Sequence, residues 1–399
     1  MRRSDLSGPV LRQLRKLPKP YEAHYGVVPL PPPAEAVALP TALPRLRAAT
    51  AALARVATLT AELKDPFIVS RILSRREAIS SSAIEGTNST LDELLNVEEH
   101  EDSGAVSEAT AQVRDYATLL EALVPRAVAE GSTVFDVALV CDLHRTVMQS
   151  DSSYPDKPGQ FRKQVVWIGG GGHIANSTFN PPPPADIAAT LAQSIQYLRC
   201  EGMETVNQHL VTRMAIAHAH FEAVHPFRDG NGRVGRLLLP LMMAADGQTP
   251  LYLSPYIEAH KDAYYAALKA AQQRLDWDRC VGFLADAVTA TVSELVVTRD
   301  ALTKLTAIWQ ARQKLRSGSA ALRALSLLPH YPVVTTKRLM TLLDVSQPVA
   351  LAATNRLVAL GILKERTGYQ RNRIFVSPEA LTVINRPFGA PPVLPGDAA

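Results

Sequence analysis

The sequence predicts a mostly α-helical protein with one β-containing interruption and a β-winged tail, and three observations carry that prediction. Apolar residues recur at three- and four-residue spacing over most of 45–300. A Gly- and Pro-rich stretch at 163–184 breaks this pattern. The order helix, helix, turn, helix, strand, strand then fills 319–378. The chain has 399 residues, 47% of them hydrophobic, so it can bury a sizeable core. No stretch approaches the roughly 18 uninterrupted apolar residues of a membrane span, and the expectation is no membrane partner. MRRSDLSGPVLRQLRKLPKP is basic at the N-terminus but lacks the apolar run of a secretory signal. Cys141, Cys200 and Cys280 are odd in number and form no CxxC pair. Both features point to reduced thiols and a cytoplasmic location, without a disulfide framework or a zinc site.

Residues 1–44, with PLPPP at 29–33, read as an extended N-terminal arm. LPRLRAATAALARVATLTAEL then reads as a helix, and DPFIVSRILSRREAISSSAIEG as a second one stopped by Gly86. These form an N-terminal helical region at 45–106. Helices continue through 107–150. QFRKQVVWIGGGGHIANSTFNPPPP follows, with Gly169 to Gly172 at its centre, and reads as a hairpin or flap closed by the proline tract. Helices at 203–224, 233–246 and 255–300 complete a core of 107–300. A helical linker is expected at 301–318 and a winged helix-turn-helix at 319–385. Over 311–375 the tail carries Lys or Arg at 312, 314, 316, 323, 337, 338, 356, 364, 366, 371 and 373, against only Asp344 and Glu365. That excess is an electrostatic footprint for DNA. Gln347, Thr354, Asn355 and Arg356 are its candidate base readers, and protein docking is the competing use of the same module.

Chemistry concentrates in HPFRDGNGRVGR at 225–236. His225 ends a helix and suits a general base near neutral pH. Asp229 is a hard oxygen ligand for Mg²⁺ bound with substrate phosphates. Gly230, Asn231 and Gly232 let backbone N–H groups approach an anion at a helix N-terminus. Arg233 and Arg236 are spaced to clamp phosphate oxygens. Phe227 reads as an apolar anchor. His218 and His220, two apart on a helix, diverge and read as packing residues. Base, metal ligand, anion cradle and two arginines together describe phosphoryl or nucleotidyl transfer. A chance match to H-x-F-x-[DE]-G-N-G-R-x-x-R anywhere in one chain is on the order of 10⁻⁸ under uniform composition.

This segment resembles the signature of the Fic family in full, and HAHFEAV before it is similar to the helix that leads into that signature. The resemblance implies a Fic helical core with a β-hairpin flap. His225 would deprotonate a Ser, Thr or Tyr hydroxyl of a target protein, which attacks the α-phosphate of ATP. Asp229 would hold Mg²⁺. Gly230, Asn231, Gly232 and Arg233 would contact the phosphates, and Arg236 the γ-phosphate. Trp167, Ile168 and Phe179 would pin the target segment by strand addition. Ser81, Glu85 and Gly86 fit the family's inhibitory pattern [ST]-x-x-x-E-[GN], with Glu85 taking the γ-phosphate's place on Arg236. The same site would also suit removal of AMP, with Glu85 positioning water, or transfer of another phosphate-containing group. A DNA-binding regulator that uses the core as a nucleotide sensor is a further reading, and a second copy of the chain is admitted as a partner.

Overall fold

The computed structural model describes residues 1–61, 71–99, 106–203, 209–313, 315–366 and 373–396. At the N-terminus a one-turn helix α1 (Gly8–Leu11) precedes β1 (Leu14–Lys16), which pairs antiparallel with β2 (Tyr25–Val27), Leu14 opposite Val27. The arm expected to be extended is therefore folded. Leu6, Val10 and Val27 gather with Phe179 and Ala223 in a small apolar cluster. Two three-residue strands carry too little alternation to register in a proline-rich sequence.

The helical body runs α2 (Leu43–Ala61), α3 (Arg71–Ile84), α4 (Leu91–Glu99), α5 (Glu108–Glu130), α6 (Val137–Met148), α7 (Ile187–Leu198), α8 (Leu210–Val224), α9 (Asn231–Ala245), α10 (Ser254–Ala259), α11 (Lys261–Arg274) and α12 (Trp277–Arg312). Side-chain caps set several starts: Ser107 accepts from Thr110 N, Asp136 from Leu139 N, and Asp276 from Arg279 N. Gly86 follows α3 with φ of 90°, a conformation that glycine tolerates and other residues resist. Residues 65–70 of the expected second helix lie outside the described residues.

Helix α8 is buried at every position except Arg213. A helix apolar on all sides belongs in the middle of a bundle, and α7, α9, α11 and α12 surround it. Helix α9 is nearly as buried and also packs on α5 and α6. Helix α3 lies against α5 and α10. Its Glu77 is 1% exposed; the carboxylate accepts from Ser254 N at 2.8 Å, Ser254 Oγ at 2.6 Å and Tyr116 Oη at 3.3 Å. Burial raises its pKa, and such a carboxyl stays inside only with partners of this kind.

The expected helical linker at 301–318 is helical as far as Arg312, where it continues α12 without a break. Trp309 on its last turns is fully buried and donates from Nε1 to Glu379 at 2.6 Å. By length and composition α12 could cross a membrane, yet 56% of its most apolar window is buried in the fold.

The tail holds α13 (Ala320–Leu325), β3 (Val333–Thr335), α14 (Thr336–Leu343), α15 (Gln347–Ala359), β4 (Lys364–Glu365), β5 (Ile374–Val376) and α16 (Pro378–Ile384). Its sheet order β3-β5-β4 is antiparallel throughout. Strand β3 and helix α16 add to the sequence expectation. Lys314, Arg371 and the turn of the wing lie outside the described residues.

Two expectations change here. Four of the nine described tail cations are paired with acids within the chain: Arg338 Nε meets Glu99 at 3.0 Å, Arg373 Nη1 meets Glu365 at 3.1 Å, Arg366 pairs with Asp92, and Arg312 with Glu379. Thr354, offered as a base reader, is buried with its hydroxyl on Ala350 O at 2.9 Å. The outward face of α15 presents Val349, Leu351 and Val358 beside Gln347, Asn355 and Arg356. The flap also departs from a regular hairpin, reducing to one bridge with Ile168 N donating to Phe179 O at 2.8 Å. Gly169, Gly170 and Gly171 take φ of 70°, 75° and 63° and curl the chain away from a ladder. A Cβ on Gly170 would lie 2.3 Å from the Asn176 backbone, so the curl depends on glycine there.

Candidate active site

Residues 225–236 join the end of α8 to the start of α9. His225 is the α8 C-cap in left-handed conformation, φ 48° and ψ 62°, with its N–H on Phe221 O. A non-glycine residue in this region is costly unless its surroundings hold it. Arg162 does so, donating from Nε to His225 O at 2.8 Å, from Nη2 to Pro182 O at 2.7 Å, and from its backbone N to Pro226 O at 3.0 Å. One buried guanidinium thus ties the His225 turn to the segment that leads out of the flap. Arg162 was not singled out from the sequence, because nothing in QFRKQ marks it.

Asn231 closes the loop on itself. Its Oδ1 accepts from Phe227 N at 2.9 Å and its Nδ2 donates to Phe227 O at 2.8 Å. The side chain is thus a loop staple, and what it offers a ligand is backbone. Phe227 is fully buried and stacks on His144, ring centroids 3.7 Å apart. His144 Nδ1 accepts from Gly159 N at 2.8 Å, which leaves Nε2–H to donate to Asp229 O at 3.0 Å. Gly230 caps α9 at φ 77°; the N–H groups of the helix's first turn have no intrahelical acceptors and favour an anion.

His225 is 20% exposed by side chain, and its Nδ1 lies 4.0 Å from Glu222 Oε2. Burial first, and the nearby Arg162 second, lower the His225 pKa to about 4. Burial raises Glu222 to about 8, against the pull of Arg236. At pH 7 the imidazole is therefore neutral and able to accept a proton, while Glu222 is mostly protonated. Gly235 makes room for Glu222, since a Cβ there would lie 2.4 Å from its Oε1. His218 and His220 bond Tyr264 Oη at 2.7 Å and Ser194 Oγ at 2.8 Å, as packed residues.

Asp229 is exposed, and its Oδ1 accepts from Gly230 N at 2.6 Å. No group of three or more His, Cys, Asp or Glu that could hold a metal occurs among the described residues. One free-facing carboxylate beside an anion cradle fits Mg²⁺ that takes its other ligands from phosphates and water. Arg233 Nη1 donates to Gln112 at 2.9 Å, which holds it on α5.

Arg236 is 1% exposed and fully engaged by α3. Its Nε donates to Ser81 Oγ at 2.9 Å, and its Nη2 to Ser81 O at 2.8 Å and to Glu85 Oε1 at 2.7 Å. Burial alone would raise the Glu85 carboxyl, but the charge and hydrogen bond of Arg236 lower it overall. Burial opposes and Glu85 raises the Arg236 pKa, so both stay ionised. A Cβ on Gly232 would lie only 2.1 Å from Glu85 Oε1. The carboxylate thus sits directly over the first turn of α9. Ser81, Glu85, Gly232 and Arg236 come together, whereas the flap residues divide. Trp167 and Ile168 are half-buried, and Phe179 is 2% exposed in the N-terminal cluster, which makes it an anchor of the loop.

With this geometry, the Fic/DOC family model matches residues 134–243 and the Fic/DOC family N-terminal model matches residues 43–123. The chain carries a Fic/DOC domain. Protein adenylyltransferase Fic of Drosophila erecta is 33% identical over 153 residues, covering 38% of this chain and 28% of that protein. The match therefore spans well under a third of the relative's length. In fold, a Fic family protein from Desulfovibrio desulfuricans G20 aligns with a TM-score of 0.51 at 21% identity, over 88% of this chain and 98% of that one. A Fic domain containing signaling protein from Bacteroides thetaiotaomicron VPI-5482 gives 0.50 at 17% identity, over 64% and 98%. The N-terminal match contains α3, Ser81 and Glu85, and the other contains His225 to Arg236.

Proposed function

We propose that this chain is a protein adenylyltransferase, held back by its own Glu85, that moves AMP from ATP to a hydroxyl of a protein. The observation that carries the reading is His225 beside the N-terminus of α9, with the Glu85 carboxylate lying over that terminus on Arg236. His225 takes the proton of the target hydroxyl, which attacks the α-phosphate in line with departing pyrophosphate. The first-turn N–H groups of α9 and Arg233 stabilise negative charge that grows on the phosphate oxygens. Asp229 would hold Mg²⁺, whose chemistry is to neutralise and orient the phosphates. Arg162 and Asn231 hold the loop so that these groups need not reorganise during the reaction.

Arg236 serves the γ-phosphate when Glu85 is away. With Glu85 in place, a triphosphate meets a carboxylate over the cradle and an arginine already engaged. ATP then binds with its phosphates out of line. The curled loop at 163–179 positions the target backbone through Trp167 and Ile168, with Phe179 fixing it from below. In this reading the domains are 1–44, a folded arm; 45–106, the restraining helices; 107–300, the catalytic core; and 319–385, a winged helix joined through α12. Drosophila erecta's relative bears the name protein adenylyltransferase, which agrees with the reaction class.

The test is label transfer from α-³²P-labelled ATP, CTP, GTP and UTP, using Glu85→Gly with and without His225→Ala. Label from ATP alone that vanishes with His225→Ala supports the reading. Label that persists without His225, or is equal from all four nucleotides, refutes it.

A further inference from the structure

Helix α3 has two faces that matter. Glu77, Ser81 and Glu85 fall on one face at four-residue spacing and meet the core and Arg236. Arg76 and Ser80, also four apart, fall on the other and line a separate cavity of about 540 Å³. Its remaining walls come from α10, the start of α4 and residues 385–388 beyond α16. The cavity thus lies behind the helix that restrains Arg236, outside the catalytic cleft.

The charges in this cavity are unequal in their matching. Arg386 is fixed, donating from Nη1 to Val383 O at 2.7 Å and from Nε to Ala390 O at 2.8 Å, with Nη2 2.7 Å from Glu294. Arg76 has no hydrogen-bond or ion-pair partner among the described residues; burial lowers its pKa, Glu294 and Glu258 oppose that shift, and Arg386 adds to it. Arg76 is half-buried, and a partly desolvated cation with no close partner attracts an anion. Glu258 stands on the same wall, exposed. Ile79, Leu91, Pro255 and Phe388 give the cavity an apolar side, and Phe388 is steadied edge-on against Tyr256 at 5.6 Å.

We propose that this cavity is a regulatory site for a small organic anion. Its phosphate or carboxylate group would pair with Arg76 beside Ser80, and its compact apolar body would lie against Phe388. A ligand that binds the cavity as formed favours the conformation in which α3 is docked. By linkage it tightens the hold of Glu85 on Arg236 and lowers label transfer. That consequence rests on Glu85 being a brake; the binding itself does not.

The test is thermal unfolding of the full chain, without nucleotide, titrated with phenyl phosphate, phenylacetate and inorganic phosphate. At tenfold over its Kd, an organic anion raises Tm by roughly 2 °C, and the stronger of the two organic arms assigns the headgroup. Inorganic phosphate, lacking the body, gives a smaller shift. Arg76→Gln abolishes the shift, Glu258→Gln enlarges it by removing a repelling charge, and Arg233→Ala at the catalytic cradle leaves it intact. A shift that survives Arg76→Gln, a shift lost in Arg233→Ala, or no shift with either organic anion overturns the site. Label transfer from ATP, measured on the same variants without anion, reports on the catalytic reading independently.

Discussion

The loop at 225–236 and the tail at 319–385 are both rich in charged and polar residues, yet they reward reading very differently. In the loop several contacts join neighbours in sequence, with Arg162 and His144 reaching in from outside. Asn231 bonds Phe227, and His225 caps the helix that precedes it. In the tail the partners are far away: Arg338 meets Glu99, Arg366 meets Asp92, and Arg71 at the start of α3 lies over the Tyr331 ring at 5.3 Å. Local bonding writes itself into a motif. Long-range pairing does not, so an excess of arginines in the tail reads as a free positive surface when much of it binds the tail to the body.

The largest effect that could break this contrast is at Asn231. Asn231→Ala leaves the buried Phe227 N–H and C=O without partners, and should cost about 2–4 kcal/mol with loss of label transfer. Unchanged denaturant midpoint and labelling would mean that the loop is held from elsewhere. Next is Glu99, which is 2% exposed by side chain and paired with Arg338. Glu99→Gln should cost about 1–3 kcal/mol and speed amide exchange in β3 and α14. Exchange confined to the body would show that the tail is anchored some other way.

Glu222 gives a pH signature of the loop. Its folded pKa is raised to about 8 from an unfolded value near 4.3. Its proton-linked stability is therefore complete below the unfolded value and is lost as pH rises through about 8. From pH 6.5 to 8 the wild type should lose about 1–2 kcal/mol relative to Glu222→Gln. Parallel urea midpoints across that range would contradict the buried, protonated state. The smallest effect concerns the tail's free charge. With Arg312, Arg338, Arg366 and Arg373 paired internally, at most seven of the eleven tail cations lie outside these pairs, so binding to non-specific duplex should show a salt slope of no more than about seven phosphates' worth. A slope near that of about eleven phosphate contacts would show that the four pairs open on DNA.

The helical class and the order of helices around the site were legible because periodicity records burial, and α8 is apolar on nearly every side. The tail's helices and the strands β4 and β5 were legible from the same kind of pattern. The motif residues His225, Asp229, Arg233 and Arg236 were visible as a chemical set. Arg162 and His144 were not, because they act through backbone carbonyls and ring stacking from distant segments. The N-terminal β1–β2 pair and the buried anchoring of Phe179 were hidden by short strands and a glycine run. The continuity of α12 was hidden because helical periodicity does not show where one helix ends and a helical linker begins.

At the centre lies Arg236, bonded to Glu85 at 2.7 Å and to Ser81 through two further hydrogen bonds. Auto-labelling with α-³²P-ATP, compared between wild type and Glu85→Gly at equal folded concentration, tests its claim most directly. Loss of one charge-assisted contact predicts a rise in labelling of roughly 10- to 100-fold. Equal labelling of the two proteins, with His225→Ala silent in both backgrounds, would contradict the restraint while leaving the chemistry standing.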